Sequence, residues 1–352
     1  MLYGNIFIIL QLIRIYMGVK LSELAEYKNV DFSFFKNKKV GVDFSNMCYQ
    51  FLSSIRSPDG TPLMNDKGDV TSHLVGITTR IPKLLSFGVK PVFVFDGEPP
   101  KLKTLERENR KKKKTEAEKK LKDAREREDL DAVLKYSKQT VRVTPEIIES
   151  SKKLLSAMGL PVIQSPSEAD AQGAYLCREG KVYCVASSDF DNLLFGSPRM
   201  VSNLTLSEKR RMSSGVYVKN ELKFYELVNV LKNLGISQEQ LVMLGVLVGT
   251  DYNPGGVHGI GPKKALKIVK ELETPEEVFE DADFDWEKII EVFKTMKVDK
   301  KVSIEFGKPN PDSIYKLLAD KFEFSEERVE KLINELEKQK DENSQRGLGE
   351  WG

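Results

Sequence analysis

The chain has 352 residues, 40% hydrophobic and 31% charged, with 55 basic against 53 acidic side chains. That length and apolar content allow a large buried core and argue against disorder, while the charge balance excludes a uniformly basic or acidic surface, so any electrostatic logic is local. Three cysteines in no paired or zinc-type spacing, and only two histidines, offer little to a disulfide framework, a histidine metal site or a Ser-His-Asp triad, which leaves any catalysis to carboxylates.

The chain opens on MLYGNIFIILQLIRIYMGVK, almost wholly apolar from residue 6 to 16. Gln11 and Arg14 interrupt the run, it falls short of the ~20 residues of a membrane span, and it lacks the basic start and small-residue cleavage site of a secretory signal. Residues 1–16 therefore read as an atypical N-terminal extension, either adventitious or packed on the rest. No later stretch is a membrane candidate. In NKKVGVDFSNMCYQFL, a short apolar run from Val40 to Val42 ends in Asp43 and gives way to a helical pattern, the strand-to-helix switch of an α/β unit. FGVKPVFVFDGEPP repeats it, with a turn over Gly88 to Pro91, a buried strand over Val92 to Phe95 and Asp96-Gly97 at its carboxyl end.

From Lys101 to Arg127 there are 13 basic and 6 acidic residues, a local net of +7, with almost no apolar periodicity. Alone, this is a solvated helix or a linker; directly after an acidic strand end, it suits a polyanionic substrate. TPEIIESSKKLLSAMGLPVIQSPSEADAQGAYLCREG predicts a helix, a turn at Gly159, a short strand, and Ser165-Pro166-Ser167 capping a helix that opens with Glu168 and Asp170. First-turn acids can be mere dipole partners. EGKVYCVASSDFDNLLFG is a third strand, Val182 to Ala186, running into Asp189 and Asp191. LVMLGVLVGTDYNPGGVHGIGPKKALKIVKE predicts an apolar helix ending at Gly249, then Asp251, a glycine-rich loop and a second helix from about Pro262; residues 307–340 look like a helical tail.

Strands that end in acids at a loop are where open parallel sheets place their sites. Asp43, Asp96, Glu168, Asp170, Asp189, Asp191 and Asp251 would repel one another if brought together unpaired, so they imply hard cations, and an oxygen-only ligand set favours Mg²⁺ or Mn²⁺ over zinc. Two such ions roughly 4 Å apart suit the in-line hydrolysis of a phosphodiester. Gly256, Gly259 and Gly261, leading into a helix with Lys263 and Lys264, form a second cue, either a simple turn or a seat for nucleic-acid phosphates.

Taken together, MGVKLSELAE, VGVDFSNMCYQFL, TSHLVGI, KPVFVFDGEPPKLK, SPSEADAQGAYL, SSDFDNLLFGSP, GTDYNPGGVHGIGPKKAL and FSEERV resemble, in order and spacing from Met17 nearly to the end, the structure-specific 5′ nucleases, and within them the archaeal and eukaryotic flap endonucleases. The resemblance implies a saddle-like α/β, PIN-like fold with a mostly parallel central sheet, a helical arch and a helix–two-turn–helix element. It divides the chain after the extension into 17–108 and 132–271 as the nuclease region, 109–131 as the arch, 272–340 as a helical region and 341–352 as a tail. All seven acids fall on the family's positions for two Mg²⁺ ions, with Mn²⁺ able to substitute and Asp170 standing where many relatives have glutamate. Lys103 and Arg110 match the basic pair at the foot of the arch that steers the scissile phosphate. Gly18, Tyr49, Arg80, Gly259, Gly261, Lys263 and Lys264 fall in DNA-contacting segments, and the helix–two-turn–helix is a place for K⁺. Gln345, Leu348 and Trp351 fit a sliding-clamp motif whose last aromatic is here Gly352.

The expected activity is two-metal cleavage at the base of 5′ flaps in Okazaki-fragment maturation and long-patch base excision repair, with 5′-3′ exonuclease action at nicks and gaps. A related nuclease of junctions or bubbles would share the acids, and a non-catalytic DNA-binding scaffold would be expected to have lost some. The expected partners are branched DNA and a sliding clamp, for a monomer in the archaeal cytoplasm or, if eukaryotic, the nucleus.

Overall fold

The computed structural model describes residues 21–206, 209–211 and 217–348. Strands β1 (Lys28–Val30), β2 (Lys39–Asp43), β3 (Lys90–Phe95), β4 (Val162–Gln164), β5 (Cys184–Ala186), β6 (Arg199–Ser202) and β9 (Leu222–Glu226) form one sheet in the order β1-β9-β6-β5-β2-β3-β4, and β7 (Lys209–Arg211) pairs with β8 (Tyr217–Lys219) as a separate ribbon. The five strands from β6 to β4 are parallel to one another, whereas β9 is antiparallel to both β6 and β1. The mostly parallel sheet expected from the sequence is therefore present.

Helices cover both faces. They are α1 (Phe44–Ser54), α2 (Ser72–Ser86), α3 (Thr104–Glu126), α4 (Leu130–Gln139), α5 (Pro145–Ala157), α6 (Ala169–Arg178), α7 (Asp191–Leu194), α8 (Leu227–Leu234), α9 (Gln238–Val248), α10 (Pro262–Glu271), α11 (Pro275–Val278), α12 (Trp286–Thr295), α13 (Pro311–Tyr315) and α14 (Glu326–Leu348). Alternation along β3 explains the two layers: Phe93 and Phe95 join Val40, Val42 and the apolar sides of α1, α2 and α5, while Val92 and Val94 face Leu176, Cys177 and Val185. A third apolar core unites α9, α10 and α12 with Phe190, Leu193 and Tyr225. All of β3 after Lys90 is buried, as a strand covered on both faces must be.

The chain winds from β2 outward to β3 and β4, then returns to the other side of β2 with β5 and β6. The carboxyl ends of β2 and β5 thus border the switch in winding direction, where such sheets hold their ligands. Register sharpens this: Val42 lies opposite Ala186 and Asp43 opposite Val94, so Asp43 is level with Ser187 and two residues short of Asp96.

The charged run is an ordered helical hairpin. Ala117 and Ala124 on α3, two turns apart, are buried, as is Val133 on α4, and Arg142 pairs with Glu118 at 2.6 Å. Helix α3 begins at Thr104, so the expected arch boundary at 109 falls inside a continuous helix that includes Arg110. The C-terminal region departs from a continuous helical tail: residues 307–310 are not helical, Gly307 N donates to Gly159 O at 2.9 Å, and α13 and a π-helical turn, Lys316–Lys321, precede α14.

One backbone approach governs the site. Gly97 N donates to Ser167 O at 2.5 Å, and a Cβ built on Gly97 would lie 2.1 Å from Ser165 O. Backbone cannot yield there as a flexible side chain could. Gly97→Ala is expected to destabilise the protein by about 2 kcal/mol or more in chemical denaturation and to lower activity further by separating Asp96 from Glu168; an unchanged denaturation midpoint would refute the close approach.

Candidate active site

Each strand end delivers its carboxylate through a local device. Asp43 is the N-cap of α1: Asn46 N donates to its Oδ1 at 3.1 Å and Ser187 Oγ to its Oδ2 at 3.2 Å. Strand β5 stops at Ala186, so the Asp189-Asp191 pair is held by the turn, where Asp189 N donates to Ser187 Oγ and Asp191 N to Asp189 Oδ1, both at 3.0 Å. The cap of α6 differs from expectation. Glu168, not a serine, is the N-cap residue and its side chain makes no capping bond; instead Asp96 Oδ1, from the end of β3, accepts from Ala169 N at 2.8 Å. A residue 73 positions away does the work of a local cap. Ser45 Oγ donates to the other Asp96 oxygen, and Asn192 Nδ2 to Asp170.

The seven acids form one electrostatic unit. Burial pushes the Asp43 carboxyl up to about 7, with the charges of Asp96 and Asp189 adding to it. Burial likewise raises Asp189 to about 6, helped by Asp251. Asp170 and Asp191 are raised well above the usual carboxylate range by burial and by neighbouring acids, Asp43 and Asp189 foremost for the first and Asp189 for the second. Burial acts on Asp251 in the same direction, but Lys103 and Arg110 outweigh it and hold its carboxyl below the ordinary value.

Both cations come from the foot of the arch. Lys103 Nζ lies 2.6 Å from Glu168 Oε1 and 2.9 Å from Asp251 Oδ2, and Arg110 Nη2 lies 3.1 Å from each Asp251 oxygen. The ammonium is held well above its usual value, because Asp251 and Glu168 more than offset its burial. Arg110 Nε is paired in turn with Glu106, a buried acid one helical turn earlier. These engagements spread the acids over separate partners, and among the described residues no His, Cys, Asp or Glu group is disposed as it stands to hold a metal ion.

The donor set nevertheless fits hard divalent cations. It is oxygen-only, the buried carboxyls of Asp43, Asp170, Asp189 and Asp191 carry raised proton affinity, and Asp191 Oδ1 is buried without a hydrogen-bond partner. Linkage follows with a definite sign. Asp43 and Asp189 are raised above the ~3.8 of the unfolded chain, so their contribution to stability is complete below that pH and is lost as pH climbs through about 6 and 7. Metal-free protein is therefore expected to gain about 5 °C or more in Tm from saturating Mg²⁺ near pH 7.5 and much less near pH 5, where protons compete for the same oxygens. Equal gains at both pH values in a thermal melt would contradict this.

The remaining expected residues are dispersed. Tyr49, on α1, packs against the core and points its hydroxyl at Lys138 O, 3.5 Å away on α4. Arg80, on α2, borders a shallow dip with Phe32, Lys83 and Leu204. Gly259 adopts φ 74°, and a Cβ on it or on Gly261 would meet nothing within 4 Å, so this backbone is open to a close approach. By contrast, Gly249 and Gly256 pack against each other's backbone at φ 108° and 58°. Gly261 is the N-cap of α10 with no side-chain cap, and Lys263 and Lys264 are exposed beside it. Gly18 and Trp351 lie outside the described residues; Gln345 and Leu348 lie within α14, their side chains outside that description. Tyr252, Glu106 and Ser45 hold the site together and were not anticipated. Glu106 alone had a visible signal, its i,i+4 spacing from Arg110.

Comparison with known proteins bears on the chain as a whole. Residues 17–117 match the XPG N-terminal domain and residues 159–251 the XPG I-region. The chain is 45% identical over 337 residues to flap endonuclease 1 of Pyrococcus horikoshii, covering 95% of this chain and 98% of that one. It belongs to the flap endonuclease family. Flap endonuclease 1 of Thermofilum pendens is 44% identical over 343 residues, covering 95% of this chain and 99% of the relative. Among solved structures, the flap endonuclease-1 of Methanococcus jannaschii superposes with a TM-score of 0.74 at 38% identity, covering 92% of this chain and 98% of that one. The flap endonucleases are nucleases that hydrolyse phosphodiester bonds and generally depend on divalent metal, in keeping with the acids of this site. Among the described residues no helix is long and apolar enough to cross a membrane.

Proposed function

We propose that the chain is a two-metal 5′ flap endonuclease that cuts DNA at the base of 5′ flaps in Okazaki-fragment maturation and long-patch base excision repair, and that degrades 5′ ends at nicks and gaps. The observation that carries this reading is that Lys103 and Arg110, from the foot of the arch, pair with Glu168 and Asp251, beside buried acids whose charges act on one another. The acids Asp43, Asp96, Glu168, Asp170, Asp189, Asp191 and Asp251 would hold two Mg²⁺ ions, or Mn²⁺ in their place. Bound divalent metal supplies a water of lowered pKa and neutralises charge on the reacting phosphate.

The protein's own groups do the rest. Arg110 Nη2 already reaches both oxygens of Asp251 while Glu106 holds its Nε, so the guanidinium is aimed at an anion, and Lys103 stands beside it. Exchange of their carboxylate partners for a scissile phosphate would free Glu168 and Asp251 and seat the substrate in one movement. The +7 run of the arch draws in the flap, and Tyr49 stacks on the substrate near the cut. Arg80, Gly18 and the open backbone at Gly259 and Gly261, with Lys263 and Lys264, contact DNA without regard to sequence, and K⁺ can sit at the glycine loop. The nuclease region, expected over 17–108 and 132–271, would flank an arch whose first helix already begins at Thr104.

For partners beyond DNA, Gln345, Leu348 and Trp351 would engage a sliding clamp. Gly352 replaces the second aromatic anchor, weakening binding by about 2 kcal/mol; a titration in which Gly352→Phe leaves clamp affinity unchanged would refute that. The protein acts as a monomer in the cytoplasm of an archaeal cell. The deciding experiment is incubation with Mg²⁺ and end-labelled double-flap, nicked and four-way DNA. Cleavage one nucleotide inside the flap duplex supports the proposal, and preference for the four-way junction would overturn it.

A further inference from the structure

Tyr252 follows the carboxylate Asp251 and is only 5% exposed. Its hydroxyl donates to Glu168 Oε2 at 2.5 Å, its one side-chain hydrogen bond among the described residues. Glu168's other oxygen, Oε1, faces Lys103 Nζ at 2.6 Å. The ring is held edge-on by Phe293 at a centroid distance of 5.4 Å, and Lys103 Nζ stands 5.6 Å from its centroid. A buried tyrosine needs a partner for its hydroxyl, and a backbone carbonyl would satisfy it; a charge-assisted bond to a carboxylate also fixes the orientation of that carboxylate.

The backbone carrying Tyr252 is equally constrained. Tyr252 N donates to Thr250 Oγ1 at 3.1 Å, Thr250 Oγ1 donates to Asn253 Oδ1 at 2.8 Å, and Asn253 Nδ2 donates to Val246 O at 2.7 Å, tying the turn to the end of α9. The same turn runs on into the glycine loop and α10. One side chain therefore joins the segment that offers open backbone at Gly259 and Gly261 to the carboxylate of the N-cap residue of α6.

We propose that Tyr252 is a positioning residue for Glu168: its hydroxyl holds Oε2 so that Oε1 is presented to cations, which makes the geometry of the acidic edge depend on the turn before the glycine loop. This rests on Glu168 being a metal ligand, as set out above. Outer partners of ligating carboxylates act by fixing ligand orientation, and losing one weakens metal affinity or activity by about 10- to 100-fold.

The test compares full-length wild type, Tyr252→Phe and Glu168→Gln without DNA, titrated with Mn²⁺ and read by the electron-spin-resonance signal of free Mn²⁺, followed by kcat and KM on flap DNA. Tyr252→Phe should bind Mn²⁺ about tenfold more weakly and lose a similar factor in kcat, with KM for DNA unchanged and part of the rate restored at high Mn²⁺. A Tyr252→Phe enzyme with lower Tm but wild-type Mn²⁺ affinity and kcat would reduce Tyr252 to a packing residue and overturn the proposal, provided Glu168→Gln weakens Mn²⁺ binding. If Glu168→Gln leaves Mn²⁺ affinity unchanged, the ligand role of Glu168 fails and the proposal with it. Should Tyr252→Phe not melt cooperatively, Glu168→Asp, which withdraws the carboxylate from the hydroxyl and leaves the ring in place, must show the same weakening; wild-type affinity there would equally overturn it.

Discussion

Asp189→Asn is expected to lower flap cleavage by about 10³-fold or more while changing DNA affinity less than threefold, because it removes a negative ligand oxygen and no phosphate-binding cation. The substitution is nearly isosteric. Its amide oxygen can still accept from Asp191 N, and the donor from Asp189 N to Ser187 Oγ is backbone, so the turn survives. Stability should move the other way. Asp189 is buried among acids and its carboxyl is pushed up to about 6, so ionised Asp189 is unfavourable to the metal-free fold near neutral pH. The neutral amide relieves that repulsion, and metal-free Asp189→Asn should melt above wild type near pH 7.5 and lose this advantage near pH 4, where Asp189 is already protonated. Single-turnover cleavage and a pair of melts in chelator test both halves; wild-type cleavage would remove Asp189 from the metal-binding set.

Lys103→Met is expected to lower cleavage by about 10²- to 10³-fold and, in contrast, to destabilise metal-free protein by about 3 kcal/mol. Lys103 is the half-buried counter-ion of both Glu168 and Asp251, and a methionine of similar length leaves two carboxylates without it. Part of that loss should return when Mg²⁺ is added, since the same oxygens then regain a cation. A denaturation curve that matches wild type in chelator would show that the ion pairs contribute nothing to folding. The pair of variants thus separates two properties that usually fall together: both lose activity, one gains stability and the other loses it.

The strand-then-acid units around Asp43 and Asp96 were legible because a short apolar run and the acid that ends it are adjacent in sequence. The glycine loop and α10 were legible for the same reason, as proline and glycine mark their own turns. The device at α6 was not. Ser165-Pro166-Ser167 looks like a local cap, but Ser165 Oγ donates to Glu168 O and the first free amide is taken by Asp96 from the next strand. No local pattern encodes such a partner, because it exists only once β3 and β4 pair. The charged run was ambiguous between helix and linker, since the fully buried apolar residues of α3, among those described, are Ala117 and Ala124, too small to register as an apolar stripe. Tyr252 was invisible as part of the site for a third reason: between Asp251 and Asn253 in a turn nothing local marks the partner of its hydroxyl, and only its contact with Glu168 gives it a meaning.

The hairpin of α3 and α4 leaves the sheet after β3 and the chain comes back through α5 to β4, and β3 and β4 lie side by side in parallel, Phe93 opposite Val162. The ordinary unit of strand, crossover helix and strand is already complete without the hairpin, which makes the arch an excursion from a finished module. Lengthening such an excursion costs little, with each doubling of loop length adding only about 0.6 kcal/mol of closure entropy. Descendants of this fold could therefore trade one arch for another and change which DNA shapes are admitted, while the acids at the strand ends remain where they are.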